Sequence, residues 1–358
     1  MPMQQIAHTS PFEKSAQNKS DRLLEELNEL TSWHARRCEP YRRILDAAYG
    51  GKTRFESLVD LPMLPVRLFK SVDLVSVAAG DVTKILTSSG TMSQVPSRIF
   101  LDKATASAQA RALINIMRDV IGSKRLPMAI LDSPIALNRT NIFSARGAGI
   151  LGFSQFGYDH TYLLDNAMQL NEDATMQFIV RHASERKLLF GFTFIIWQYV
   201  YSRIVHRQLD IDFGDSILIH GGGWKKLADQ QVSNQEFKER MGEIGIRQVV
   251  NYYGMVEQTG SIFVECEKGY FHAPCYADVL ARDTRTLEPL SFGSVGILEL
   301  MSNIPRSYPG HVLLTEDLGT VLGEDDCPCR RKGKYFLVEG RLPLAELRGC
   351  GDTRHVEN

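Results

Sequence analysis

No stretch of this 358-residue chain approaches the roughly 18 consecutive apolar residues that a membrane-spanning helix requires. Met1 to Ser20 is polar and lacks the apolar run of a secretory leader, so the expected compartment is the cytoplasm. An excess of one charge is missing too. With 41 Lys and Arg against 42 Asp and Glu, the net charge of −1 gives no general attraction to nucleic acid or an anionic membrane. Cysteine is scarce: six in a chain of this length, without a leader, suit a reducing compartment where thiols act as ligands or nucleophiles rather than as disulfides. Internal repeats and low-complexity tracts are absent.

A hydrophobic content of 44% with 23% charged residues is that of a globular protein able to bury a large core. The length suits one large α/β domain with an appendage. Residues 21–49 carry a helical pattern, with Leu23, Leu24, Leu27, Leu30 and Trp33 on one face, and Cys38 reads as a buried thiol. Gly51-Lys52-Thr53 imitates the end of a phosphate-binding P-loop. The first glycine of that motif would fall on Asp46 with no strand before it, which excludes it. The proline-rich Leu61 to Val66 is expected to run extended across the surface.

Further on, strands alternate with helices. Met128 to Leu131, Leu188 to Phe190, Ser216 to Ile219 and Val249-Val250 read as strands. Asp102 is expected to cap a helix running to about Val120, and Ser233 with Glu236 to form a capping box. Such alternation predicts α/β layers, which bind ligands where their strands end in polar or glycine-rich turns. From about residue 262 the helical pattern gives way to a β-rich region.

Three such turns carry chemical weight. Thr87-Ser88-Ser89-Gly90-Thr91 lies between two short apolar segments, and its hydroxyls and backbone N–H groups suit a phosphate. His220-Gly221-Gly222-Gly223-Trp224-Lys225-Lys226 and Tyr253-Gly254-Met255-Val256-Glu257-Gln258-Thr259-Gly260 are the other two. Together these strings resemble the acyl-protein synthetases of bacterial luminescence, the LuxE family. Thr315-Glu316-Asp317-Leu318-Gly319 and Gly340-Arg341 extend the resemblance to roughly residues 20–352. That family lies within the adenylate-forming superfamily, beside the phenylacetate–CoA ligases.

The resemblance implies the superfamily's large N-terminal domain: a flexible N-terminus over 1–20, the domain over 21–340 with its β-rich part at 262–340, and a short tail over 341–358. It implies ATP and Mg²⁺ as cofactors and a reaction in which a carboxylic acid becomes acyl-AMP. Ser88, Ser89, Gly90 and Thr91 would hold the departing phosphates and Glu257 would ligand Mg²⁺. Gly221, Gly222 and Gly223 would let the backbone approach the nucleotide. Tyr253 with Gly254 would lie against adenine, and Asp317 would bind the ribose hydroxyls with Arg341 beside it. The acceptor would be a thiol. A cysteine near the family's C-terminus takes the acyl group as a thioester, and Cys350, between Gly349 and Gly351, is the matching position. A carrier protein's pantetheine, a reductase partner or CoA are the other acceptors.

Two departures stand out. Ser93 to Ser97 offers no lysine where the phosphate loop usually has one, and Val256 replaces the threonine usual before the acid. The chain also leaves no room after Arg341 for the superfamily's mobile C-terminal domain and its lysine. That keeps two rivals open: a phenylacetate-type CoA ligase, and a degenerate fold that binds or modifies a carrier-linked acyl chain without ATP.

The remaining thiols form a second constellation. Cys266, His272, Cys327 and Cys329 offer three thiolates and an imidazole, a donor set for tetrahedral structural zinc, with Cys275 the spare. Some phenylacetate–CoA-ligase-like proteins are similar here. Phe190 to Val200 reads as core or as the wall of an apolar tunnel, and favours a fatty or polyketide-like acid.

Overall fold

The computed structural model describes residues 10–88, 96–137, 142–224 and 231–342. The helical pattern near the N-terminus resolves into two helices, α1 (Ala16–Arg37) and α2 (Glu39–Tyr49), broken at Cys38. Cys38 is extended and Pro40, which has no N–H to donate, sits in the first turn of α2, where that loss costs least. Leu23, Leu27 and Leu30 bury one face of α1, as the spacing predicts. The segment that leads into α1 packs against the domain. Phe12 is buried, the Cys275 N–H donates to Pro11 O and the Lys332 N–H to Phe12 O.

Strand β1 (Leu64–Pro65) leads to the short α3 (Leu68–Ser71), and β2 (Val82–Thr87) pairs antiparallel with β3 (Arg98–Asp102). The segment expected on the surface at 61–66 is partly core, because Leu61 and Leu64 are buried and β1 lies parallel against residues 313–314. Asp102 caps α4 (Lys103–Ile121) by accepting from the Thr105 N–H. There follow β4 (Leu126–Ile130), β5 (Ile142–Ser144), α5 (Ala145–Ser154), β6 (Gly157–Tyr162), α6 (Glu172–Arg181) and β7 (Lys187–Phe192). Next come α7 (Thr193–Ile195), a π-helical stretch over Ile196–Tyr201 and α8 (Ser202–His206). Beyond them lie β8 (Ser216–Gly221), α9 (Asn234–Glu243) and β9 (Gln248–Tyr253), with Ser233 accepting from the Glu236 N–H to cap α9.

Six further strands complete the chain: β10 (Phe263–Glu265), β11 (Phe271–His272), β12 (Ala277–Arg282), β13 (Val295–Ser302), β14 (Val312–Glu324) and β15 (Lys334–Arg341). Among the described residues, one sheet runs β12-β13-β14-β15-β11-β10-β9-β8-β7-β4-β6 with β1 beside β14, and a second runs β3-β2-β5. The strands β6, β4, β7, β8 and β9 pair parallel, whereas β9 onward to β12 pair antiparallel. The β-rich region from residue 262 therefore continues the same sheet. β7 and β8 are buried along their whole length, as befits parallel strands covered on both faces.

Parallel pairing decides where the turns lie. It puts the C-terminal ends of β7, β8 and β9 side by side, so that Phe192 meets Gly221 and Gly221 meets Tyr252. Two of the three turns singled out in the sequence thus leave one edge of the sheet together.

Candidate active site

Two glycines at the end of β8 are required by their neighbours. A Cβ on Gly221 would fall 2.6 Å from the Tyr252 carbonyl oxygen, and one on Gly222 2.7 Å from the Phe192 ring. Gly222 and Gly223 also take φ of +81° and +63°, a region that L side chains seldom occupy. His220, just before them, is buried with its ring stacked on Phe237. The Thr193 hydroxyl donates to the Gly221 carbonyl at 3.0 Å, so the contact between Thr193 Oγ and His220 Nδ1 at 3.0 Å has the imidazole N–H as donor. Burial, with the Lys238 charge adding to it, pushes His220 down to about 3, and the ring is neutral. Beside this loop the half-buried Trp197 and Trp224 meet at 5.1 Å, and Ile195, Ile196 and Val200 behind them are core.

Glu257 lies in the short helical turn after β9 and is buried. Burial raises its pKa, while the nearby Ser97 hydroxyl and the cations Lys70 and Arg341 pull the other way. Ser88 closes the β2–β3 hairpin next to it: its N–H donates to Ser97 O at 3.2 Å and its Oγ accepts from the Ser97 N–H at 2.9 Å. Through Ser97, the base of the expected phosphate loop reaches Glu257. Ser89, Gly90 and Thr91 lie outside the described residues, as do Lys225, Lys226 and Cys350.

Tyr253 is half-buried against Phe263, Phe271 and Phe336, and Gly254 beyond it is exposed. The Tyr253 hydroxyl donates to Asp317 Oδ2 at 2.7 Å, and Arg341 Nε donates to Asp317 Oδ1 at 3.3 Å. Asp317 and Arg341 are direct partners in the β14–β15 ladder, and the Thr315 hydroxyl accepts from the Asp317 N–H at 3.1 Å. Burial first, and the Asp317 charge second, hold the Tyr253 phenol well above its ordinary value, so it stays a donor. Tertiary folding thus joins Tyr253, Asp317 and Arg341, with the Arg341 charge also reaching Glu257.

The ligating atoms of Cys266, just after β10, His272, in β11, and Cys327 and Cys329, after β14, all lie within 4.8 Å of one another. The N–H groups of Lys268 and Arg331 point at the sulfurs of Cys266 and Cys329, both at 3.4 Å, which favours thiolates. Burial and the neighbouring thiols push Cys327 up to about 12, and burial with the Arg331 charge pushes His272 down to about 3. Three crowded thiols and a neutral imidazole fit a soft divalent cation, whose charge would replace those protons. Cys275 is not in the group.

The sequence left Ser97, Gln109, Thr193 and Tyr308 unremarked. Thr193 orients His220, Ser97 and Tyr308 lie by Glu257, and Gln109 lies beside Tyr308. None stands in a glycine-rich or charged string, and the Ser307-Tyr308-Pro309-Gly310 stretch signals only a turn.

A family model described as acyl-protein synthetase, LuxE, matches residues 3–356. The chain belongs to the LuxE family. Among its curated relatives are long-chain-fatty-acid–luciferin-component ligases of Aliivibrio fischeri and Vibrio harveyi. The first is 24% identical over 358 residues, covering 96% of this chain and 91% of the relative. The second is 24% identical over 349 residues, covering 91% and 88%. A solved structure of 2-hydroxyisobutyryl-CoA ligase, in an open conformation with its acyl-AMP and CoA, shares the fold with a TM-score of 0.70. It is 16% identical, with 91% of this chain and 76% of that one covered. As a member of the LuxE family, the protein is an acyl-activating ligase with the adenylate-forming fold. No helix among the described residues is long and apolar enough to cross a membrane.

Proposed function

We propose that this LuxE-family enzyme converts a fatty or polyketide-like carboxylic acid to acyl-AMP and passes the acyl group to a thiol, acting in the cytoplasm. The observation that carries this reading is the convergence of Glu257, the Ser88–Ser97 hairpin base and the Tyr253–Asp317–Arg341 group beside the glycine turn of β8. The half-buried aromatic wall of Trp197 and Trp224 supports an apolar chain on the acid.

A carboxylate is a poor acyl donor because its charge repels nucleophiles and oxide is a poor leaving group. In the proposed first step a carboxylate oxygen attacks the α-phosphorus of ATP, and pyrophosphate leaves with its bonding pair. Ser88, with Ser89, Gly90 and Thr91, holds the departing phosphates. Gly221, Gly222 and Gly223 let the backbone close on the nucleotide, Tyr253 and Gly254 flank the base, and Asp317 accepts from the ribose hydroxyls with Arg341 bracing it. Glu257 binds Mg²⁺, which supplies neutralisation of the phosphate charge. In the second step a thiolate sulfur attacks the acyl carbon, and AMP leaves on the broken anhydride bond. Cys350 is the first acceptor in this reading, ahead of a carrier-protein pantetheine or CoA. Cys266, His272, Cys327 and Cys329 hold a structural zinc that ties the end of β10 to the β14–β15 turn.

The test is intact-protein mass after incubation with ATP, Mg²⁺ and a panel of carboxylic acids, with Cys350→Ala alongside. A hydroxylamine-labile acyl adduct on the wild type and not on the variant is expected. Pyrophosphate release without an adduct would move the acceptor role to an outside thiol. Neither product would refute the adenylation chemistry.

A further inference from the structure

Ser97, Gln109 and Tyr308 each bury a polar side-chain atom, Oγ, Nε2 and the phenolic hydroxyl, that finds no hydrogen-bond partner. Two of them face Glu257 and the third lies next to one of those two. The Ser97 hydroxyl faces the carboxyl, and the Tyr308 phenol is close enough that the Glu257 charge adds to burial in raising it. The Gln109 amide lies beside the Tyr308 hydroxyl. They arrive from three places: the residue before β3, the middle of α4 and the segment before β14.

Close backbone approach makes the meeting possible. A Cβ on Gly310 would sit 2.2 Å from the Tyr308 ring and 2.7 Å from the Glu257 carbonyl oxygen; one on Gly260 would sit 2.7 Å from Gln109 Cα. Phe69 meets the Tyr308 ring edge-on at 6.1 Å, so the phenol is wedged with its hydroxyl left over. An unpaired buried polar group destabilises the fold, whereas Phe and Met would fill the same volumes without that cost. Three such groups, two facing one acid and the third beside them, make sense when something polar joins them. The amide offers only donors at Nε2, the hydroxyls offer both functions, and a carboxylate only accepts. Water between donors and carboxylate would satisfy every group. The residue next to the acid cannot help, because Val256 is apolar and buried in the same cluster as Phe69 and Tyr308.

We propose that Tyr308 and Gln109 are positioning residues which, through water and together with Ser97, hold the Glu257 carboxylate in the orientation that takes up Mg²⁺. This rests on the assignment of Glu257 above. The test titrates Mg²⁺ against ATP binding by calorimetry, without acid substrate, for wild type, Tyr308→Phe and Gln109→Met. Both variants should need on the order of 10-fold more Mg²⁺ for half-maximal ATP binding. The nucleotide-free melting temperature of Tyr308→Phe should hold, because the ring and its contact with Phe69 are kept. Wild-type Mg²⁺ dependence in both variants overturns the inference alone. A wild type whose ATP binding ignores Mg²⁺ overturns the assignment of Glu257, and this inference with it.

Discussion

The Tyr253 hydroxyl donates to Asp317 Oδ2 at 2.7 Å, joining the last residue of β9 to the middle of β14 across 64 positions of sequence. Neither strand neighbours the other: β10, β11 and β15 lie between them in the sheet. The bond therefore reaches across the sheet and fixes the carboxylate that faces the proposed ribose site.

Replacing Asp317 by Asn keeps the shape and removes the charge that Tyr253 and Arg341 address. The expected result is a KM for ATP raised on the order of 10-fold or more, with the KM for the acid little changed. Steady-state kinetics in both substrates check this, and an unaltered ATP dependence would remove Asp317 from the nucleotide site.

Glu257→Gln should cut ATP–pyrophosphate exchange by a factor on the order of 100 or more. Stability should move the other way. Burial raises the carboxyl's pKa, so ionising it costs free energy that a neutral amide avoids. The variant is expected to melt at or above the wild-type temperature, which calorimetry can check beside the exchange assay. Retained exchange would defeat the magnesium assignment.

Zinc in dialysed protein should approach about one equivalent per chain and be lost on Cys327→Ser with Cys329→Ser. Removing it with a chelator should lower the melting temperature and loosen the N-terminal segment, because Phe12 packs edge-on against His272 at 6.1 Å and Arg331 lies over the Phe12 ring. Elemental analysis with limited proteolysis near residue 12 reads both effects. Substoichiometric zinc would sink the idea.

Acid should unfold the protein through a second pair of imidazoles. His34 and His311 stack at 5.0 Å between α1 and β14, both fully buried. Burial above all, with the His311, Arg306 and Arg37 charges adding to it, holds His34 well below 6.5, and burial takes His311 down to about 3. Their folded pKa values lie below the unfolded one, so the unfolded state binds more protons once pH drops under about 6.5. The stability is whole above that pH and is lost by about 1.4 kcal/mol per imidazole per pH unit on the way down towards 3. Urea denaturation at pH 7.5, 6 and 5 should show the decline, and His311→Gln should flatten it. Parallel pH profiles for wild type and variant would show that these rings do not titrate on unfolding.

By itself the sequence determined the local features. Asp102 and Ser233 cap their helices as their positions require, the apolar runs at 188–190 and 216–219 are central strands, and the glycines at 221 and 222 mark a close approach. These depend on neighbours a few residues away, so composition and spacing expose them. The strings at 220–226 and 253–260 also carried the family, since chemistry constrains contiguous turns at strand ends. Tertiary structure alone decided which distant residues meet. Sheet order, set by parallel pairing and by the long antiparallel return, brings Asp317 to Tyr253 and Cys327 to His272. It also buries Leu61 and Leu64 in a segment whose prolines suggest a surface run, because β14 offers an edge for β1. The polar groups near Glu257 lie furthest from what sequence displays: Ser97, Gln109 and Tyr308 are unremarkable letters, and only packing of three separated segments leaves their polar atoms buried and unpaired, two of them facing one carboxylate.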